Sequence, residues 1–279
     1  MGISALVFLA SVATFNPAYK PWKFAVVGDT QNRYGVVKKI LLSMKRRKIK
    51  FALHLGDVHW CGSRKHWLIK NFLFSRAVPK WLITFGNHAR WPCSLPVKRW
   101  LSWRWSRKRF GQIFYKGKGD TLRYLDYKDR RFISLDTASR NIPKGHSTRY
   151  LKILRSSKKP VFVISHRPIP YPSNFSIRMI GRKHTFYYGS GVDPVAYRYP
   201  NRKIWKYTSK YRRKIGALFH GHYHAYVRYK LGLMSNSIPA YSSGGGGGNL
   251  ETHRDFYHWL EVTVYGLGPR DFRVKVIKI

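Results

Sequence analysis

Five short apolar runs in this sequence each end in a polar turn, and that repeated arrangement leaves few architectures open. The turns are Gly28-Asp29-Thr30-Gln31, Gly56-Asp57-Val58-His59, Gly86-Asn87-His88, Ser165-His166 and Gly221-His222-Tyr223-His224. The runs before them, residues 23–27, 51–55, 81–85, 161–165 and 216–220, have the length and the β-branched or aromatic content of buried strands. Between the first two, residues 34–46 place Val36, Val37, Ile40, Leu41 and Met44 at helical spacing, and residues 64–76 read as a second helix. Strand, helix, strand, helix, strand predicts crossover units and a mainly parallel sheet. Open α/β sheets bind ligands outside the carboxyl ends of their strands. Five polar turns at five such ends can therefore converge on one pocket.

The rest of the chain reads as one domain over residues 21–279, α/β first and β-rich last. Residues 121–127 and 131–135 flank Lys128-Asp129-Arg130 in the manner of a hairpin, and residues 146–155 look helical. Residues 168–200 form a long Pro-, Tyr- and Gly-rich loop region, and the segment after residue 220 reads as antiparallel strands. Gly244–Gly248 is a run of glycine alone. Residues 1–20 are set apart as an N-terminal extension. The first fifteen are apolar, with no charge before Lys20, like the apolar region of a secretory signal with Ser11-Val12-Ala13 as its cleavage site. That points to a secreted or periplasmic protein. The stretch is too short to span a bilayer.

Charge is the compositional anomaly. Lys and Arg number 54 against 11 Asp and Glu, a formal net charge of +43. Such an excess attracts phosphate and other anions to the surface. Three readings fit it: a general bias toward basic protein, binding to nucleic acid or another polyanion, and steering of a small anionic substrate. The cations are dispersed through the chain, with local runs at residues 45–50, 100–110 and 206–214, which argues against one grafted nucleic-acid arm. Residues 100–110, with tryptophans among the cations, could instead supply a stacking platform for single strands, or pack as an amphipathic helix.

Each polar turn offers carboxylate, amide or imidazole groups, a donor set suited to divalent Mn, Fe or Zn. A Gly-Asp after a strand is by itself an ordinary turn, and a buried His166 alone would be an ordinary core histidine. Gly-His-x-His carries more, because alternate positions of an extended chain put both imidazoles on one face.

The ordered set resembles the calcineurin-like metallophosphoesterase pattern, and the similarity runs from about Phe24 to the C-terminus. Ser134-Leu135-Asp136-Thr137 and the Gly244–Gly248 tract also sit where members of this family, including the branch related to purple acid phosphatases, carry a strand and a glycine-rich loop. The resemblance implies an α/β fold of two packed mixed β-sheets flanked by helices, a four-layer sandwich. It implies two divalent ions, with Asp57 bridging both, Asp29, Gln31 and His224 at the first, and Asn87, His166 and His222 at the second. A water acidified by those ions would attack phosphorus in line, and His88 would protonate or stabilise the leaving oxygen. Arg33, Arg90 and Arg167 lie beside motif residues and would meet phosphate oxygens.

Three positions depart from the family pattern. Gln31 stands where a metal-binding histidine is usual, Ala89 where an acidic residue orients the catalytic histidine, and Trp60 where purple acid phosphatases use a tyrosine ligand. The expected activity is metal-dependent hydrolysis of phosphate mono- or diesters. The competing reading is a nucleic-acid or polyanion-binding protein on the same fold with weak or no catalysis. Cys61 and Cys93 follow two of the motifs, on loops that the resembled fold sets side by side, and are expected to be within reach of a disulfide.

Overall fold

A computed structural model describes residues 18–59, 64–90, 122–138, 142–169, 201–231, 237–251, 253 and 255–279. The apolar N-terminus, Trp60, the Cys61–Cys93 pairing, the tryptophan-rich basic stretch and nearly all of the 168–200 loop fall outside these residues.

The described strands form two mixed sheets. The first has five strands in the order β11-β10-β1-β2-β3, and the second has six in the order β4-β5-β6-β7-β9-β8. In the first, β1 (Trp22–Val27), β2 (Phe51–His54) and β3 (Lys80–Ile83) run parallel, and β10 (His258–Val264) and β11 (Phe272–Lys278) complete the edge antiparallel. In the second, β5 (Arg130–Ser134), β6 (Val161–Ser165) and β7 (Ile215–His220) run parallel. A hairpin joins β4 (Arg123–Tyr127) to β5 through Lys128 and Asp129, as the sequence suggested. The C-terminal segment differs from an all-antiparallel reading. β8 (Tyr226–Leu231) pairs antiparallel with β9 (Ile238–Ser243), but β9 lies parallel to β7.

Alternation along the strands builds the layers. Phe24, Val26, Phe51 and Leu53 of the first sheet meet Phe132, Phe162 and Phe219 of the second. Ala25, Val27, Ala52 and Trp81 face outward, against helices α1 (Tyr34–Arg46) and α2 (Arg64–Ala77). Helices α3 (His146–Ser156) and α4 (Asn201–Lys210) cover the other sheet through Tyr150, Ile153, Leu154 and Ile204. The result is helix, sheet, sheet, helix. Helix α4 was not anticipated, because among its described side chains only Ile204 and Thr208 are fully buried and the cations around them mask the period.

Parallel order in both sheets gathers the carboxyl ends of β1, β2, β3, β6 and β7 along one edge. The glycine tract follows β9 onto the same edge, where the Gly246 and Gly248 N–H groups donate to the Gly28 and Asp29 carbonyls at 3.0 and 2.8 Å. Phe24 is the centre of the packing between the sheets, its ring 5.2 Å from Phe132 and 5.4 Å from Phe162. Replacing Phe24 by Ala is expected to destabilise the fold by about 3–5 kcal/mol. Urea unfolding checks this, as a lower midpoint with an unchanged slope.

Candidate functional site

The five polar turns meet at this edge. Backbone hydrogen bonds set their positions first. Asp29 N–H donates to Gly56 O at 3.0 Å and Gln31 N–H to Asp57 O at 3.2 Å, locking the first turn onto the second. Asp29, Gln31, Asp57 and His222 all have positive φ, at 54°, 24°, 49° and 71°. For side chains other than glycine this is a costly conformation, and such residues concentrate at functional sites. Gly86 approaches so closely that a Cβ there would lie 1.9 Å from Asp57 Oδ1. Gly56, itself at φ +99°, leaves room for the His166 ring.

The two carboxylates are treated alike. Each is buried, and each has one oxygen held by a backbone N–H. His222 N–H donates to Asp29 Oδ2 at 2.9 Å, and His88 N–H donates to Asp57 Oδ1 at 3.0 Å. The remaining oxygens face imidazoles. Asp57 Oδ2 lies 3.3 Å from His166 Nε2 and 3.6 Å from His88 Nε2, and Asp29 Oδ1 lies 3.5 Å from His224 Nε2. Asp29 Oδ1 is buried and makes no hydrogen bond. Ligand atoms of Asp29, Asp57 and His166 all fall within 4.8 Å of one another, close enough to hold a metal ion between them.

Around these carboxylates the expected residues sort into two groups. On one side, the Gln31 amide nitrogen is 3.0 Å from His224 Nε2. His224 Nδ1 is fixed by the Asn249 carbonyl at 2.6 Å, which points Nε2 at Asp29. On the other, Asn87 Oδ1 is 2.7 Å from His166 Nε2 and 3.0 Å from His222 Nδ1. His166 Nδ1 donates to the Leu55 carbonyl at 2.9 Å, so its Nε2 also faces the pocket. Such a carbonyl partner on the far nitrogen is the usual way a ligating histidine is oriented.

Charge follows from this packing. Burial raises the Asp29 pKa. Burial acts in the same sense on Asp57, but the charge and hydrogen bond of His166, with His88, outweigh it and bring Asp57 down to about 2. Burial opposes the charged form of His166 and His224, yet the carboxylates overcome it: His166 is raised, and His224 goes up to about 9 through Asp29. His222, desolvated and beside His166 and Arg167, drops to about 2 and stays neutral. Carboxylates and imidazoles thus favour one another's charged forms across the pocket.

The candidate arginines divide. Arg167 Nη1 donates to His222 Nε2 at 2.9 Å. Arg33 is exposed and reaches Asn249 Oδ1 at 3.3 Å. Arg90 closes a short turn, Asn87–Arg90, and its side chain is outside the described residues.

Sequence reasoning did not find the groups beneath the turns. His54 and Lys70 are both completely buried. His54 Nε2 donates to Thr30 Oγ1 at 3.1 Å, Thr30 Oγ1 donates to the Val58 carbonyl at 3.1 Å, and Gly56 N–H donates to His54 Nδ1 at 3.3 Å. One ring can both donate and accept only while neutral, and burial, with Lys70 nearby, holds His54 down at about 3. Lys70, from α2, donates to the Gln31 and Val58 carbonyls, so it joins the first two turns from below. Its only sequence signal is a cation on the sheet-facing side of a helix. Thr137 accepts from the His166 and Arg167 N–H groups at 3.0 and 2.8 Å, within the Ser134–Thr137 segment noted above.

The comparisons with known proteins agree with this geometry. A family model described as calcineurin-like phosphoesterase matches residues 23–226, and the chain belongs to that family. Among solved structures it is similar to a purple acid phosphatase from yellow lupin (Lupinus luteus) seeds, with a TM-score of 0.65 and 16% identity over 93% of this chain and 52% of that one. This chain therefore spans about half of the lupin protein. It is also similar to a dimetal phosphatase from Danio rerio, with a TM-score of 0.61 and 14% identity over 91% of this chain and 98% of that one. Against curated protein sequences there is no significant match. These structures share the two-sheet sandwich, and the matched family is one of phosphoesterases.

Burial lowers the Lys70 pKa to about 7, whereas an unfolded lysine titrates near 10. Between those values the unfolded chain holds one more proton than the folded chain, so stability rises with pH across that window. The slope from this group is up to about 1.4 kcal/mol per pH unit. Urea titrations at about pH 7 and about pH 9.5 should show the rise in the parent chain, and Lys70→Met should flatten it.

Proposed function

We propose that this chain hydrolyses phosphate mono- or diesters using two divalent metal ions held in the pocket. The paired arrangement of Asp29 and Asp57 carries the reading: both are buried, both are pinned through one oxygen, and both turn the other toward imidazole nitrogens. The residues fit such ions. Asp29 Oδ1 has no hydrogen bond, and His166 and His224 spend Nδ1 on carbonyls and aim Nε2 inward. Carboxylate, amide and imidazole donors suit Mn, Fe or Zn.

In this reading Asp57, which lies between the two groups, would contribute to both sites. Asp29, Gln31 and His224 complete the first site, and Asn87, His166 and His222 complete the second. When bound, the ions would supply an acidified water as nucleophile and would neutralise charge on the phosphoryl oxygens. His88, 3.6 Å from Asp57 Oδ2, places an N–H beside the reacting centre. Burial lowers its pKa, so the neutral ring steadies the leaving oxygen by donation. Arg167, whose Nη1 is 2.9 Å from His222 Nε2, stands beside the second site and would offer its guanidinium to the phosphate oxygens as a bidentate partner.

The direct test is turnover of an aryl phosphate and a bis-aryl phosphate with added Mn, abolished by EDTA. Metal-independent binding of single-stranded nucleic acid with a steep salt dependence, and no turnover, would favour the polyanion-binding reading instead.

Asp57→Asn is expected to lower turnover roughly a thousandfold and to reduce metal content at both sites. Near-normal turnover and metal content in that variant would overturn the bridging assignment. The first site has one imidazole where the second has two, so its ion should bind more weakly. Gln31→His should tighten it in equilibrium dialysis, and equal occupancy of both sites before and after the substitution would count against the assignment.

A further inference from the structure

Every described helix lacks acidic residues. α1 reads YGVVKKILLSMKR, α2 RKHWLIKNFLFSRA, α3 HSTRYLKILRS and α4 NRKIWKYTSK. The two helical faces nevertheless differ. On the α3–α4 face no large apolar side chain is exposed among the described residues. On the α1–α2 face three are: Leu42 at 43%, Ile69 at 40% and Phe72 at 52%. On α1, Leu42 stands between the exposed cations Lys38 and Lys45 at i, i+4, i+7 spacing, a stripe separate from the buried Val37, Ile40, Leu41 and Met44. On α2, Ile69, Phe72 and Arg76 form a second stripe at i, i+3, i+7, with the Arg76 guanidinium 4.4 Å from the Phe72 ring centroid. The two helices pack side by side.

We propose that the α1–α2 face docks onto an anionic membrane surface. Its occupant must satisfy two demands. It must be negatively charged, because neither helix holds an acid to offset its own cations. It must also remove isolated leucine, isoleucine and phenylalanine side chains from water. Anionic headgroups over an acyl boundary meet both demands, and apolar side chains ringed by Lys and Arg are the pattern of interfacial helices. A nucleic acid would satisfy the cations alone and leave Leu42 and Ile69 in water. Among the described residues no helix is long and apolar enough to cross a membrane. The inference is independent of the metal site, which lies at the strand ends.

The test is sedimentation of the full chain with vesicles of phosphatidylcholine alone, and of phosphatidylcholine with one-third phosphatidylserine. Binding is expected to the anionic vesicles only, weakening at least tenfold between about 0.1 M and about 0.5 M salt. Lys38→Gln with Lys45→Gln should weaken it about fivefold per cation removed. Ile69→Ser with Phe72→Ser should weaken it tenfold or more with the thermal melting curve retained, since both side chains are exposed. Lys206→Gln with Lys210→Gln on the opposite helical face should change it less than twofold. Absence of anionic-vesicle binding overturns the proposal, as does binding that ignores the Ile69 and Phe72 substitutions. Single-stranded DNA that binds through the same residues and displaces the vesicles would replace it with a nucleic-acid surface.

Discussion

Backbone N–H groups hold one oxygen each of Asp29 and Asp57, and the rest of the site depends on that pinning. A carboxylate taken out of water needs a fixed partner, or it protonates or drifts. Here the partners come from the His222 and His88 amides, so the turns that carry the imidazoles also orient the carboxylates. The left-handed conformations of Asp29, Asp57 and His222 bring those amides into line, and the bare Gly86 lets the third turn close over Asp57. Strain in one turn is held by hydrogen bonds to the next. Beneath them, the His54–Thr30–Val58 chain and the Lys70 ammonium tie the first two turns into one unit.

The sandwich was legible because its information is local. The KFAVV, FALHL and VFVIS segments each alternate between two buried faces and end in a polar turn, and both properties are written in consecutive residues. Residues that meet across the pocket were legible only as an ordered set of motifs. What stayed hidden depends on distant neighbours. Nothing near Lys70 in the sequence indicates that its amine reaches two carbonyls of other segments. Nor does Arg167 announce that its guanidinium rests on His222. Strand β9 illustrates a topological blind spot: its alternation suits a strand, but whether it joins β7 parallel or closes a plain meander depends on where the preceding segment returns.

The scarcity of acids has a pattern of its own. Described carboxylates are engaged one by one: Asp126 with Arg131, Asp129 with Arg130 and Trp22, Glu261 with Lys23 and Arg47, Asp271 with the Gly268 amide, and Glu251 with the His224 amide. None sits on a helix, where acids near the N-terminus would have stabilised the dipole. The helices hold their place by burying apolar faces instead. Acidic residues persist where geometry uses them, and the helical exterior is left almost wholly cationic.

The pull of the buried carboxylates on the His166 and His224 rings has a consequence for maturation. A pocket with two bare carboxylates would be electrostatically unstable until cations arrived, and folding would wait on metal supply. In this chain an imidazole stands against each carboxylate, His166 Nε2 at 3.3 Å from Asp57 Oδ2 and His224 Nε2 at 3.5 Å from Asp29 Oδ1, and offers a proton in place of a cation. On the proposed reading the polypeptide would fold first and be loaded afterwards, an incoming cation displacing protons from the pocket. Loading would then depend on local acidity as well as on metal abundance.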